Sequence, residues 1–304
     1  MKNTKTFLLI TIMCFLNINI LLSQGCSDAG FCTVNSFKPN TENSTGVLNN
    51  QFKIGAFYGS ADRNISVYGN YLEYNRQLNE KWAFDAKLTT LAQNGNGITT
   101  FGLSDIFLNA TYKATEKVNF TLGTKLPLAN ANKKENNLPL PMDYQSSLGT
   151  FDLIIGVGYT IKNIQLVAAI QQPLTQNENE FFASSYPINS KLRNFQSTNK
   201  FERSGDFLLR VSYPITIAAK FKITPSVLPI YHLTNDKYTN ELNNKIEIKG
   251  SQGLTLNGNA YLDYELNTKN SIQLNIGMPF ITRDARPDGL TRSFIANLQY
   301  NIKF

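Results

Sequence analysis

Side chains able to transfer protons, attack a carbonyl or hold a metal are sparse here. The chain of 304 residues has one histidine, His232, in the run Tyr231-His232-Leu233-Thr234. A hydroxyl hydrolase needs its nucleophile paired with that base, and the residue two positions on is Thr234 rather than Ser. No phosphate-cradling loop and no metal-ligand spacing occurs. The sequence therefore reads as not an enzyme, with no catalytic residue, no cofactor and no metal, and with His232 as a hydrogen-bonding wall residue. Of three cysteines, Cys14 lies in a leader and leaves with it. Cys26 and Cys32, in Gly-Cys-Ser-Asp-Ala-Gly-Phe-Cys, are an even pair in an exported chain and read as a small disulfide loop. A lipidated Cys26 is the rival, but Ser23-Gln24-Gly25 is a poor lipobox and orphans Cys32. Two thiols are too few for a metal site.

The charges that remain are ionisable groups placed between apolar ones. Lys53, Asp85, Lys87, Lys125, Arg210, Asp263 and Glu265 each lie one step out of phase with a run of apolar residues. A period of two is that of a β-strand with one greasy and one wet face. If the greasy faces meet lipid, these seven charges line a lumen, where packing and mutual pairing is their ordinary role and sorting of permeants by charge a second one.

The elements that must position them recur from residue 50 onward. The clearest is the last, Phe294 to Phe304, with Phe294, Ala296, Leu298, Tyr300, Ile302 and Phe304 on one face and Asn297, Gln299, Asn301 and Lys303 on the other. Tyr300 and Phe304 resemble the aromatic pair of a carboxyl-terminal strand read by the barrel-insertion machinery. Similar runs begin at Phe52, Trp82, Ile106, Val118, Leu153, Ile164, Phe207, Leu254 and Ile272. A run near Val67 has an ambiguous phase, because Tyr68, Leu72 and Tyr74 oppose Val67, Gly69 and Tyr71. The run from Phe221 to Tyr231 is interrupted by Pro225 and Pro229. Asn94 to Thr100 reads as a Gly/Asn loop. About twelve strands result, joined alternately by tight turns and long polar loops, the longest from Thr175 to Ser204. The fold class is all-β: an antiparallel transmembrane β-barrel of about 12 strands with short periplasmic turns and long outer loops.

Residues 1–24 read as a signal peptide: Lys2 and Lys5, then a largely apolar stretch from Phe7 to Leu22. Residues 25–49 form an amino-terminal segment with the disulfide, either a plug or a periplasmic extension, and 50–304 form the barrel. A hydrophobic fraction of only 42% suits a wall that shows lipid every second residue, and 12% aromatics suit interfacial girdles. The net charge of +7 is spread thinly, which argues against nucleic acid. The expected partners are outer-membrane lipid and lipopolysaccharide, the insertion machinery and a small-molecule permeant, in the cell outer membrane.

Three segments carry a resemblance. Gly102 to Asp105 is a Gly-x-x-Asp strand start, Gly123 to Pro127 a Gly-x-Lys-x-Pro segment centred on Lys125, and Gly149 to Asp152 a second Gly-x-x-Asp. Together they resemble the outer-membrane barrel family named for the MetA pathway of phenol degradation. The resemblance implies a transporter-like barrel linked by name to aromatic catabolism, without naming a substrate. It covers residues 102–160 closely and the strand rhythm elsewhere loosely.

The leading expectation is passive passage of a small, hydrophobic or aromatic solute. Phe181, Phe182, Tyr186 and Phe195 in the longest loop are either a hydrophobic intake patch or loop packing. The alternative is a structural or interaction barrel with a filled lumen. Twelve-stranded phospholipases set the enzyme reading, and His232 without its serine argues against it.

Overall fold

Alternating apolar and polar residues pair edge to edge until no edge is left. The computed structural model describes residues 34–39, 49–289 and 293–304. Twelve strands close into one antiparallel barrel: β1 (Asn50–Ser60), β2 (Ser66–Gln77), β3 (Trp82–Gly95), β4 (Ile98–Lys113), β5 (Val118–Pro127), β6 (Asp152–Ile161), β7 (Ile164–Pro173), β8 (Asp206–Ser212), β9 (Phe221–His232), β10 (Gly253–Glu265), β11 (Asn270–Ile281) and β12 (Phe294–Lys303). β12 zips onto β1 from Gln51 opposite Lys303 to Ser60 opposite Phe294, which leaves the last strand without a free ladder.

The outside is apolar. Ile54, Leu72, Leu108, Leu122, Ile155 and Leu298 are exposed there. Aromatic residues stand at both ends of this belt: Tyr58, Phe101, Phe280 and Phe294 toward one rim, Trp82, Tyr159, Tyr264 and Phe304 toward the other. A closed β-barrel with an apolar outside and two aromatic girdles is the form in which strands cross an outer membrane. No helix among the described residues is long and apolar enough to cross a membrane.

The two rims differ. One carries the tight turns at 78–81, 114–117, 162–163, 219–220 and 266–269. The other carries the connections 128–151, 174–205, 233–252 and 282–293. Two short connections interrupt that second rim, and one departs from the sequence reading. Asn94–Thr100 is not a loop: β3 and β4 run on to a two-residue turn, Asn96–Gly97, with φ of 54° and 82°. Positive φ at both residues makes the hairpin turn that matches strand twist, and Asn-Gly is its usual sequence.

The two doubtful strands are settled by burial. Val67 and Tyr71 of β2 are buried while Tyr68, Leu72 and Tyr74 are exposed, so β2 turns its tyrosine-rich face outward except for Tyr71. β9 is unbroken and pairs with β10 along its whole length. Its two prolines face outward, and Pro229 falls where the β8–β9 ladder is interrupted, between the pairs Leu208–Ile230 and Val211–Val227. A missing N–H costs least there. β8 itself stops before Pro214 and resumes as Ile215–Ala218 beside the start of β9.

The core of the molecule is inside the barrel. Phe57, Val67, Tyr71, Leu91 and Ile295 of the wall pack with loop residues that include Leu140, Tyr144, Phe181 and Phe195. Lower down, Val34 and Phe37 pack against Phe107, Ile154, Val167, Leu208 and Leu228 of the wall. Both amino-terminal residues therefore lie among inward-facing side chains of β4, β6, β7, β8 and β9.

Candidate functional site

The inward faces carry the charges because alternation leaves them no other side. Lys53, Asp85, Lys87, Lys125, Arg210 and Asp263 are all buried, whereas Glu265 ends β10 at the tight-turn rim and is exposed. Burial of so many ionisable groups is tolerated only where they are paired and hydrogen-bonded, and the interior of the barrel is organised in four groups, three of them built on charges.

The first surrounds residues 34–39. Lys53 Nζ is 2.9 Å from Glu73 Oε1, and Lys38 Nζ is 3.9 Å from Glu73 Oε2. Lys53 also donates to Asn35 Oδ1, and Lys38 donates to Gln299 Oε1 at 3.5 Å. Tyr71 reaches across β1, its hydroxyl 2.7 Å from Gln299 Oε1 and 3.1 Å from Asn297 Oδ1, with Lys87 Nζ 4.1 Å from the centre of its ring. On the opposite wall Arg210 donates to the Phe37 carbonyl oxygen at 2.5 Å and lies 6.0 Å from the Tyr261 ring. Glu73, the hub of this group, escapes the sequence reading. Its phase is fixed only once Tyr68, Leu72 and Tyr74 are known to face out.

The second group gathers the three motif segments. Asp105 accepts from Ser147 Oγ at 2.6 Å and from Ser104 Oγ at 3.0 Å. Lys125 Nζ is 2.9 Å from Asp152 Oδ2 and donates to Thr150 Oγ1 at 2.9 Å. Thr150 and Gln171 donate to Asp152 in turn. The motif charges thus meet on neighbouring strands β4, β5, β6 and β7 and hold the two ends of the 128–151 connection.

The third group ties the other connections together. His232 Nδ1 is 2.7 Å from Asp206 Oδ1, and its Nε2 is 2.7 Å from Asp236 Oδ1. Both ring nitrogens are therefore engaged by carboxylates. Arg203 pairs with Asp206 and lies 3.7 Å from Asp288, and Arg283 is 2.9 Å from Asp288. Burial alone would raise the Asp288 carboxyl, but Arg283 and Arg203 outweigh it and hold it below its usual range. Residues of 174–205, 233–252 and 282–293 share this one charge cluster.

The fourth group is the apolar cap. Phe181, Tyr186 and Phe195 are buried, Phe181 and Tyr186 with rings 5.7 Å apart. Of the two readings of this loop the structure has the packing one for these three residues. Beside them, burial lifts the Asp143 carboxyl to about 7; Arg63 opposes the shift, and Asp62 and Asp288 add to it.

The remaining sequence candidates lie elsewhere. Asp85 accepts from Asn109 at 2.6 Å and Asp263 from Gln273 at 2.7 Å, both as cross-strand neighbours. Tyr300 and Phe304 are exposed on the outside near the tight-turn rim. Cys26, Cys32 and the leader lie outside the described residues. Among the described residues no cluster of three or more metal-ligating side chains occurs.

No protein-family model matches the chain, and no curated protein matches it by sequence. Solved structures do match by shape. An outer-membrane channel from Pseudomonas putida F1 superposes over 88% of this chain and 99% of its own, at 12% identity and a TM-score of 0.59. That overlap shows a shared fold. The translocator domain of the autotransporter NalP from Neisseria meningitidis follows at 9% identity over 86% of this chain and 90% of its own, with a TM-score of 0.48. The monoaromatic hydrocarbon channel CymD gives 9% identity over 84% and 89%, with a TM-score of 0.43. The last two overlap too loosely to argue from.

Proposed function

We propose that the chain is an outer-membrane channel for passive passage of a small, hydrophobic or aromatic solute, closed at rest. One observation carries the reading: the inside of the barrel is filled by attached segments as well as by side chains of the wall. Residues 34–39 lie inside from one side and the 128–151 and 174–205 connections from the other. A lumen filled for rigidity needs only wall side chains that meet. Filling it with separable segments is the way to build a gate. The buried charges Lys53 and Arg210, which hold Asn35 and the Phe37 carbonyl, then act on the segment and on the permeant in turn.

Three further readings support the same picture. The segments around Asp105, Lys125 and Asp152 resemble the family named for the MetA pathway of phenol degradation, and we infer membership in it. Residues 1–24 act as a signal peptide, and Cys26 and Cys32 close a disulfide loop ahead of the lumen segment. Tyr300 and Phe304 serve as the insertion signal, with lipopolysaccharide and lipid against the rims and belt.

The test is single-channel conductance of the refolded chain lacking residues 1–24, compared with one lacking residues 1–49. Discrete steps that grow or become more frequent in the shorter chain support the gated channel. A folded, heat-modifiable barrel silent in both forms favours the second reading, a structural or interaction barrel. The charge cluster shared by three connections is what speaks for that alternative.

A further inference from the structure

Phe37 sits inside the barrel in the manner of a bound ligand. Its ring is buried among Phe107, Ile154, Leu208 and Leu228. Gly156 makes the space: a β-carbon there would lie 2.3 Å from the ring. The Phe37 carbonyl oxygen accepts from Arg210 Nη1 at 2.5 Å. Three carbons separate the ring from that oxygen: the β-carbon, the α-carbon and the carbonyl carbon. Stripped of the rest of the peptide, ring, three carbons and oxygen are the skeleton of 3-phenylpropanoate.

We propose that this pocket and Arg210 form a binding site for a small aryl carboxylate of 3-arylpropanoate length, and that Phe37 is its built-in competitor. The bond from the Arg210 guanidinium to the peptide carbonyl is already charge-assisted on the donor side; a free carboxylate adds the opposite charge and a second acceptor oxygen, which lets the guanidinium bind in the two-bond fork that a carbonyl cannot accept. The ring supplies the apolar burial and sets the orientation, as a few placed polar groups do in other apolar sites. Phe37 holds the site because it belongs to the same chain, which makes its competition with a free ligand intramolecular. A ligand that wins the site frees Lys53 and Lys38 from Asn35 and Gln299 as the segment leaves. The proposal rests on the channel reading for the ligand's route, though not for its binding.

The experiment is titration calorimetry of the refolded chain in detergent micelles, with 3-phenylpropanoate as probe, 3-phenylpropanol as the analogue without the carboxylate and propanoate as the analogue without the ring. Phe37→Ala is expected to bind 3-phenylpropanoate at least about tenfold more tightly than the unaltered chain, because the tethered competitor is gone. Propanoate, without the ring, is expected to show no saturable binding. Adding Arg210→Met to Phe37→Ala is expected to weaken 3-phenylpropanoate about tenfold or more and to leave 3-phenylpropanol within about twofold. Heat-modifiable migration checks that each barrel is folded, and Arg210→Gln, which also removes the charge, replaces the methionine variant with the same expectation if that one is not. Equal affinity in Phe37→Ala and the unaltered chain, or a carboxylate preference that survives Arg210→Met, overturns the site. Conductance separates the two ideas: saturable binding in a silent barrel sinks the channel alone, and flux of the probe without saturable binding sinks the site alone.

Discussion

Lys125 and Asp152 stand directly opposite each other in the β5–β6 ladder, Nζ 2.9 Å from Oδ2, with neither side chain reaching solvent. Opposite charges facing each other in a sheet fix its register. Here the pair also closes the base of the 128–151 connection, because Thr150 joins both partners. That is a physical reason for a lysine at the centre of the Gly-x-Lys-x-Pro segment and an aspartate at the end of Gly-x-x-Asp.

Removing one partner leaves a buried charge alone, and the loss is typically about 3–5 kcal/mol. Lys125→Met is therefore expected to lower the urea midpoint of the micelle-bound barrel sharply. Lys125→Met with Asp152→Leu is expected to recover most of it. A single variant as stable as the unaltered chain would show that the pair does not organise this wall.

Gly156→Ala tests the lumen segment with a single methyl group. The added carbon would overlap the Phe37 ring, while the outward face of β6 is untouched. The expected outcome is more frequent channel opening at an unchanged thermal transition. Reduced opening, or an unfolded barrel, would show that the ring is not what yields.

Asp143 gives the loop cap a pH dependence. Its folded-state value near 7 lies above the usual carboxylate value of about 4. Between those values the folded carboxyl keeps a proton that the unfolded chain releases. Its stabilising contribution is thus complete below about pH 4 and lost as pH rises through about 7. Backbone amides of residues 140–148 are expected to exchange faster at pH 8 than at pH 5, after correction for intrinsic rates. Asp143→Asn should remove the difference, and an unchanged pH profile in that variant would assign the effect elsewhere.

Arg203 joins Asp206 at the start of β8 to Asp288 on another connection. Arg203→Met should loosen the cluster, leaving Asp288 with Arg283 as its cation and Asp206 with only its hydrogen bond to His232. Limited proteolysis is expected to cut within 174–205 faster in the variant, with the barrel fragment intact. A cutting rate equal to that of the unaltered chain would show that Arg203 does not hold the charge cluster together.

Phe304→Asn is expected to reduce the amount of folded barrel in the outer membrane, since the outward aromatic at the tight-turn rim is lost. Heat-modifiable migration of membrane fractions measures it, and unaltered levels would sink the insertion-signal reading.

The wall was legible because a period of two leaves a mark in every strand, and lipid outside makes that mark strong. Phe120, Leu122 and Ile155 could be placed outward from type and spacing alone. Glu73 could not, because tyrosines and leucine compete with valine and Tyr71 for the apolar face of β2. The Asn96–Gly97 hairpin was hidden by its polar flanks, Asn94, Thr99 and Thr100, which look like loop but pair as strand ends. The contents of the lumen left no periodic trace. What places Phe37 against Gly156, or Arg203 beside Asp288, is contact between residues more than a hundred or about eighty positions apart, and alternation says nothing of such distances.

The lumen segment ends at Pro39 and β1 starts at Asn50, with residues 40–49 between them. Ten residues of chain reach at most about 35 Å, comparable with the roughly 30 Å thickness of the hydrocarbon layer. On the gated-channel proposal, that number of residues would let Phe37 withdraw past the tight-turn rim while every strand keeps its partners. Opening by this route costs no ladder hydrogen bond, and the displaced stopper stays attached, ready to return without a diffusive search.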